Sequence, residues 1–222
     1  MTVLHLADEG EAADLAAFLS RLLHYDRGAA VRLQAAGTAL AVFGRPPSFE
    51  VLAVRAVRLA KPYEDGLDVT LDVTVSAGEL LESVDEKGAT AVVPGAVTGP
   101  PWAGVLPPRG GWRPEPGLPA PEALRSLVAA AVAEFRSRTQ ELPDERRTRA
   151  ELDRIGRDIW SRTVGDTRLP VRAVHAAQSL GFLRPGVPSA LFASGAWLRL
   201  RTPYGSIAVR QAGLGALDVS VR

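Results

Sequence analysis

Apolar side chains recur along the chain at two spacings, and these spacings predict its secondary structure. Four apolar residues at helical spacing predict an amphipathic helix over residues 11–24. Residues 67–75 alternate between apolar and polar side chains, which predicts a strand with one buried face and one wet face. The segment AAVRLQAAGTALAVFG predicts a hairpin with Gly37 in its turn, and VLAVRAVRLA (51–60) predicts a third strand.

Two capping patterns mark the starts of further helices. Ser76 with Glu79 three residues later is a capping box, and it predicts a short helix that runs to about Val84. Thr148 with Glu151 repeats the pattern in the second half of the chain. The segment ATAVVPG between these two helices predicts one more strand.

The pattern after residue 120 predicts three helices followed by a hairpin. The helices are expected over residues 121–139, over 149–164 and over 171–181. The hairpin is AWLRLRTPYGSIAVR, because a proline and a glycine stand where a type I turn favours them. GALDVSVR predicts a last strand. The fold class is therefore α+β, with an N-terminal, mostly antiparallel sheet and two helices, then three helices and a β-hairpin in a winged-helix-like order.

A segment rich in proline and glycine divides the chain. Residues 94–121 contain 6 glycines and 9 prolines, too many for a long regular element. We therefore expect an α+β domain over 1–95, an interdomain loop over 96–120 and a helical domain with a terminal hairpin over 121–222. The loop holds two large apolar rings, which we expect to pack against the domains: Trp102 and Trp112.

The near-zero net charge of the chain, +1, hides two halves of opposite sign. Residues 1–145 carry 13 Lys and Arg against 20 Asp and Glu, whereas residues 146–222 carry 13 Arg against 5 acids. Such asymmetry indicates an anionic partner for the basic part, or docking of the basic part on the acidic part.

The charge layout favours an interaction or scaffold protein that acts through self-association or a protein partner. Opposed fields of this size favour contacts between domains or between protomers, and they need no special side chains. Binding of this kind weakens as salt is added.

Nucleic-acid binding is the second interpretation, because three helices and a hairpin follow the order of a winged-helix domain. The third helix would enter a DNA major groove, and the arginines of the hairpin beside an aromatic ring would contact phosphates and bases. The candidate residues are Arg172, His175, Gln178, Trp197, Arg199, Arg201 and Arg210. Against this interpretation, the third helix carries a single arginine, and the connection before it is longer than a tight turn.

An enzyme with an unrecognised site is the third interpretation. No phosphate-binding loop, nucleophile elbow or zinc-protease motif is present, so we assign no catalytic residue, cofactor or metal. His24 beside Tyr25 and Asp26 suits the end of a helix better than catalysis. One group of acidic residues is more typical of the solvated face of a strand than of a cation site. Its members are Glu64, Asp65, Asp68 and Asp72.

The composition indicates a cytoplasmic protein without a membrane anchor. The chain has no cysteine, which excludes disulfides and thiolate chemistry. Its N-terminus lacks the basic and apolar pattern of a signal peptide, and no apolar run is long enough to span a bilayer.

Two segments carry a resemblance to known sequences: VRLQAAGTALAVFGRPP and LPVRAVHAAQSLGFL. Through them the chain resembles a family of conserved actinobacterial proteins that has no assigned activity. The resemblance implies a lineage and no mechanism.

Overall fold

A computed structural model describes residues 2–60 and 71–211. Within these ranges the chain forms five α-helices and ten β-strands, together with short 3-10 helices at Pro101–Gly104 and Asp144–Arg146. In chain order the elements are β1 (Val3–His5), α1 (Glu9–Tyr25), β2 (Ala30–Ala36), β3 (Ala39–Gly44), β4 (Leu52–Arg58), β5 (Asp72–Ser76), α2 (Ala77–Glu82), β6 (Thr90–Val92), β7 (Arg113–Pro114), α3 (Pro121–Gln140), α4 (Arg149–Trp160), α5 (Val171–Ser179), β8 (Ala190–Ser194), β9 (Trp197–Thr202) and β10 (Gly205–Arg210).

An eight-stranded antiparallel sheet forms the centre of the fold. Its strand order is β5-β2-β3-β4-β10-β9-β8-β7, and β1 pairs with β6 in a separate two-stranded sheet. The five helices lie on one face of the large sheet, because their apolar side chains share one core with alternate residues of its strands. We call the opposite face, on which none of the described α-helices lies, the outer face.

Strands β4 and β10 join the two halves of the chain. Their antiparallel register places Ser206 opposite Val54 and Ala208 opposite Leu52. The core on the helical face accordingly contains residues from both halves of the chain. Phe18 is a buried core residue from the first half. The charged halves thus meet through a shared sheet and a shared core, and within the described residues six ion pairs join residues 1–145 to residues 146–222.

A buried arginine reinforces this junction. Arg55 on β4 donates a hydrogen bond to a Glu11 carboxylate oxygen at 2.9 Å and another to the Tyr204 carbonyl at 2.8 Å. Asp14 lies 3.3 Å from Arg55 and equally 3.3 Å from Arg184, whose guanidinium stacks 3.5 Å from the centre of the Tyr204 ring. These contacts tie α1 and β4 to the turn between β9 and β10.

The predicted fold class is confirmed. Helices α1 to α5 and the hairpins β2–β3 and β9–β10 lie where the pattern places them, and both capping boxes cap a helix through a side-chain oxygen. The terminal hairpin differs from the wing of a winged-helix domain. Because β10 pairs with β4, the hairpin is an interior part of the sheet and does not project from the domain. Strands β1, β7 and β8 were not expected.

Some expectations fall outside the described residues. The first residues of the strand expected over 67–75 and the strand expected at GALDVSVR both do so. The proposed division into 1–95, 96–120 and 121–222 stays a prediction. In the described part of the chain, no helix is long and apolar enough to cross a membrane.

Gly205 at the start of β10 provides a test of the packing at this junction. A Cβ atom built there would lie 2.6 Å from the ring of Phe182, which is buried and stacks on Phe18 at 5.6 Å. We expect Gly205→Ala to lower the free energy of unfolding by about 1–3 kcal/mol, the usual result of overpacking a core. Urea unfolding measures the difference.

Gly95→Ala is the matched control, because a Cβ atom at Gly95 meets no atom within 4 Å. It should leave the free energy of unfolding within about 0.5 kcal/mol of the parent value. Equal effects of the two substitutions would contradict the packing described around Phe182.

Candidate partner-binding face

The proline- and glycine-rich segment crosses the outer face of the sheet, and we call residues 96–120 the strap. At one edge the Val97 amide donates to the Thr74 carbonyl at 2.9 Å, beside β5. At the other edge the Glu115 amide donates to the Leu191 carbonyl at 2.8 Å, beside β8. The strap therefore runs from one side of the sheet to the other.

A second, smaller core lies beneath the strap. Trp102 and Leu106 of the strap pack with Trp197 against an apolar cluster on the outer face, formed by Phe43, Leu52, Val54 and Ala208. Because this cluster combines strands of both halves, Trp102 spans the junction between them. The Arg32 guanidinium fixes the strap further by donating to the Ala103 carbonyl at 2.6 Å.

Trp112 has a more local role in the strap. Its indole N–H donates to the Pro108 carbonyl at 3.0 Å, which closes a short loop within the strap. The guanidinium of Arg199 lies 5.6 Å from the centre of the Trp112 ring, a distance that allows a cation–π contact. The ring thus covers an arginine of β9.

One groove opens between the strap and strands β2 to β4, and we call it the arginine groove. Its volume is about 210 Å³. The floor is apolar and includes Phe43, while Gln34, Arg109 and Arg199 supply the polar groups. An apolar floor with a few polar groups is typical of a binding site.

A second groove lies at the other end of these strands, and we call it the tryptophan groove. Its volume is about 370 Å³. Trp102 and Trp197 line it together with Val105, a large apolar residue that is 49% exposed. Two arginines and one carboxylate also line it: Arg45, Arg210 and Glu50.

The arginines of the two grooves lack acidic partners. Among the described residues, no carboxylate lies within salt-bridge distance of any of the five arginines on this face: Arg45, Arg109, Arg199, Arg201 and Arg210. Arg199 is half-buried, and within residues 2–60 and 71–211 its guanidinium donates only to the Ser206 hydroxyl, at 2.9 Å. Burial and, to a smaller extent, the nearby charge of Arg201 lower the pKa of Arg199. The face therefore holds desolvated positive charge without a counter-ion.

Asp72 is the acidic group beside the arginine groove, and it is already neutralised. Its carboxylate accepts from Arg32 at 2.7 Å and from Gln34 at 3.1 Å. The hydrogen bond from Arg32 lowers the pKa of Asp72. The nearby charge of Arg109 also lowers this pKa, so Arg109 is partly compensated by Asp72, whereas Arg199 is left for an external anion.

The structure brings together only part of the predicted nucleic-acid set. Trp197, Arg199 and Arg201 share one face of β9, and Arg210 lies opposite Trp197 on β10. The three residues on α5 lie on the other side of the sheet, because the buried face of that helix packs in the main core. These residues are Arg172, His175 and Gln178.

His175 lies inside a row of aromatic rings on the helical side. It stacks on Trp160 at 4.6 Å and meets the edge of Phe49 at 5.1 Å. Tyr25 continues the row beyond Phe49, and Phe135 continues it beyond Trp160. Burial lowers the pKa of His175, so the imidazole is neutral at pH 7.

Sequence reasoning missed Arg45, Arg109 and Gln34, which join the face only through tertiary structure. The other candidates remain apart: His24 is exposed and contacts Tyr25. In the described residues, no group of three or more metal-binding side chains occurs. Three members of the acidic group, Glu64, Asp65 and Asp68, lie outside those residues.

Two family models match this chain, one in each half. Residues 1–104 match a domain of unknown function, DUF8010, and residues 107–214 match another domain of unknown function, DUF8185. The boundary between the two matches falls within the strap. A comparison with curated proteins found no match.

Removing the charge of Arg55 and removing the charge of Arg199 should have different effects on the free energy of unfolding. Arg55→Met removes the donor to one Glu11 carboxylate oxygen while Arg58 still donates to the other at 2.7 Å, so we expect a loss of about 1–3 kcal/mol in the free energy of unfolding. Arg199→Met removes a desolvated charge that has no carboxylate partner, so we expect an unchanged or raised free energy of unfolding. Urea unfolding of both variants checks this contrast. A loss for Arg199→Met as large as that for Arg55→Met would show that Arg199 is structural.

His175 predicts a pH dependence of stability. Its pKa is lower in the folded chain than the value of about 6.5 in an unfolded chain, so the unfolded chain binds the proton more tightly. The contribution of His175 to the free energy of unfolding is therefore complete above about pH 6.5 and is lost as the pH falls below about 6.5. We expect the melting temperature to drop more between about pH 7.5 and about pH 5.5 in the parent than in His175→Phe. Parallel curves for the two proteins would contradict this expectation.

Proposed function

We propose that this chain, which fits an uncharacterised family and joins two domains of unknown function, is a non-enzymatic interaction protein that binds an acidic partner protein. The binding surface is the outer face with the arginine and tryptophan grooves. The observation that carries the proposal is the set of five arginines on this face without a carboxylate partner in the described residues. Charge complementarity then selects a partner with carboxylates.

The side chains of the two grooves support a protein partner. Tryptophan and arginine are enriched among the residues that dominate binding energy at protein interfaces. Trp102 and Trp197 stand beside Arg45 and Arg210 in the tryptophan groove. Apolar and acidic side chains of one extended segment could therefore be bound together along the strap.

The edges of the sheet are less suitable than its outer face for docking a partner protein. An isolated bridge between Val75 and Ala96 covers part of the β5 edge with the strap. At the other edge β7 has two residues, and Pro114 cannot donate a hydrogen bond to an added strand. Short and covered edges disfavour association by strand addition. The outer face is the better docking surface.

Single-stranded nucleic acid is the second candidate, favoured by the alternation of Trp197, Arg199 and Arg201 along β9. Aromatic rings beside arginines suit base stacking and phosphate contact. Binding would use the sheet and not α5, whose apolar face is buried. For either candidate partner we propose a cytoplasmic location, which fits a chain without cysteine.

Fluorescence anisotropy with the full chain separates the two candidates. The probes are a fluorescein-labelled peptide of mixed glutamate and leucine, its counterpart with glutamine for glutamate, and a labelled oligo-dT, each at low and moderate salt. We expect the acidic peptide to bind best, because its carboxylates satisfy the free arginines. The double variant Arg109→Gln/Arg199→Gln should weaken its binding about tenfold or more.

Arg27→Gln/Arg136→Gln is the matched control. It removes the same charge from two exposed arginines that have no ion pair in the described residues and do not line the grooves. Equal weakening by both double variants would contradict a specific face. Tighter binding of oligo-dT than of the acidic peptide would favour the nucleic-acid candidate, and no binding of either probe at low salt would overturn both.

A further inference from the structure

A separate cleft lies on the helical side of the sheet, between the loop 45–50 and helices α3 to α5. Its volume is about 600 Å³, which falls within the usual range for small-molecule sites. Phe135, Leu152 and Trp160 form its apolar wall. Nothing in the proposed role of the outer face uses this cleft.

Arg172 lines the cleft with an unsatisfied donor. Its Nε atom is buried and has no hydrogen-bond partner among the residues that the structure describes. The nearest carboxylate, Glu50, lies 3.7 Å from the guanidinium, beyond hydrogen-bond distance, and its side chain is 70% exposed. Buried donors are nearly always paired in folded proteins, so this one points to an acceptor that a ligand would supply.

Arg157 provides a second cation at the same cleft. It stands one helical turn before Trp160 on α4, so the two side chains share a face of the helix. Within the described part of the chain, its guanidinium makes no ion pair. A ligand that reached Arg172 could therefore meet Arg157 as well.

Aromatic packing with His175 holds the indole of Trp160 in place. His175 stacks on it with an angle of 25° between the rings, and Phe49 contacts His175 in turn. A side chain fixed by such packing loses little conformational entropy when a ligand stacks on it. The aromatic wall of the cleft is thus preorganised.

The loop that forms the rim holds an uncommon backbone conformation. Ser48 has φ 70° and Glu50 has φ 52°, values in the left-handed region that non-glycine residues seldom adopt. Such strain persists only where the surrounding structure enforces it, and it concentrates at binding sites. Phe49 between them anchors the loop in the aromatic row.

The charges that line the cleft favour a ligand with a single negative charge over a dianion. Arg157 and Arg172 are balanced in part by Glu50 and Asp153, which also line the cleft. A dianion such as a phosphate monoester would meet these two carboxylates at the rim. A monoanion with a flat apolar body suits both the arginines and the rings.

We propose that this cleft binds a small planar aromatic carboxylate. The ring of the ligand stacks against Trp160 and Phe135, and its carboxylate accepts hydrogen bonds from Arg172 and Arg157. Among its described lining residues, the cleft shares only Glu50 with the grooves of the outer face, so either proposal can fail while the other stands.

Isothermal titration calorimetry on the full chain tests the cleft with naphthalene-2-carboxylate as the probe. The neutral amide of the same ring is the matched ligand. We expect the carboxylate to bind at least about tenfold more tightly than the amide, and Arg172→Gln to remove that difference. Arg157→Gln should weaken the carboxylate severalfold, and this exposed position keeps the test intact if Arg172→Gln fails to fold.

Arg199→Gln on the outer face is the control and should leave carboxylate binding unchanged. Equal binding of the carboxylate and the amide would overturn the proposal. So would carboxylate binding that neither cleft variant changes, or no binding at millimolar concentration.

Discussion

The pairing of β4 with β10 is the contact on which the rest of the structure depends. It converts two segments of opposite charge into one eight-stranded sheet, with one apolar core on its helical side. Arg55 strengthens the same junction, because it is buried on β4 and bonds both to Glu11 in the first half and to Tyr204 in the second. The bond to the Tyr204 carbonyl is the one that joins the halves, and the bond to Glu11 holds the guanidinium of Arg55 in position to make it.

The binding face follows from this junction. Phe43 and Leu52 come from the first half and Trp197 and Ala208 from the second, yet they form one apolar cluster that the strap covers. Neither half contains the complete cluster. The two family models meet within the strap, so the segment that links the two matched domains also lies across the surface that both build.

Local features could be predicted from the sequence, whereas features made by distant pairing could not. The helices are set by apolar spacing and capping residues, as Ser76 and Thr148 show, and the β9–β10 hairpin by its own turn. No local pattern reveals that Ala208 pairs with Leu52, so the hairpin resembled a free wing. Strand alternation correctly grouped Trp197 with two arginines on β9, but Arg109 joins that face only because the strap folds back over it.

Native-state hydrogen exchange of the full chain at increasing urea concentration tests the shared sheet most directly. Amides of β4 and β10, at Ala53 and Ile207 for example, should exchange through the same global opening with the same free energy and the same dependence on urea. Exchange of the β10 amides through a separate opening of lower free energy, while β4 stays protected, would show that the two halves fold independently and would contradict the account.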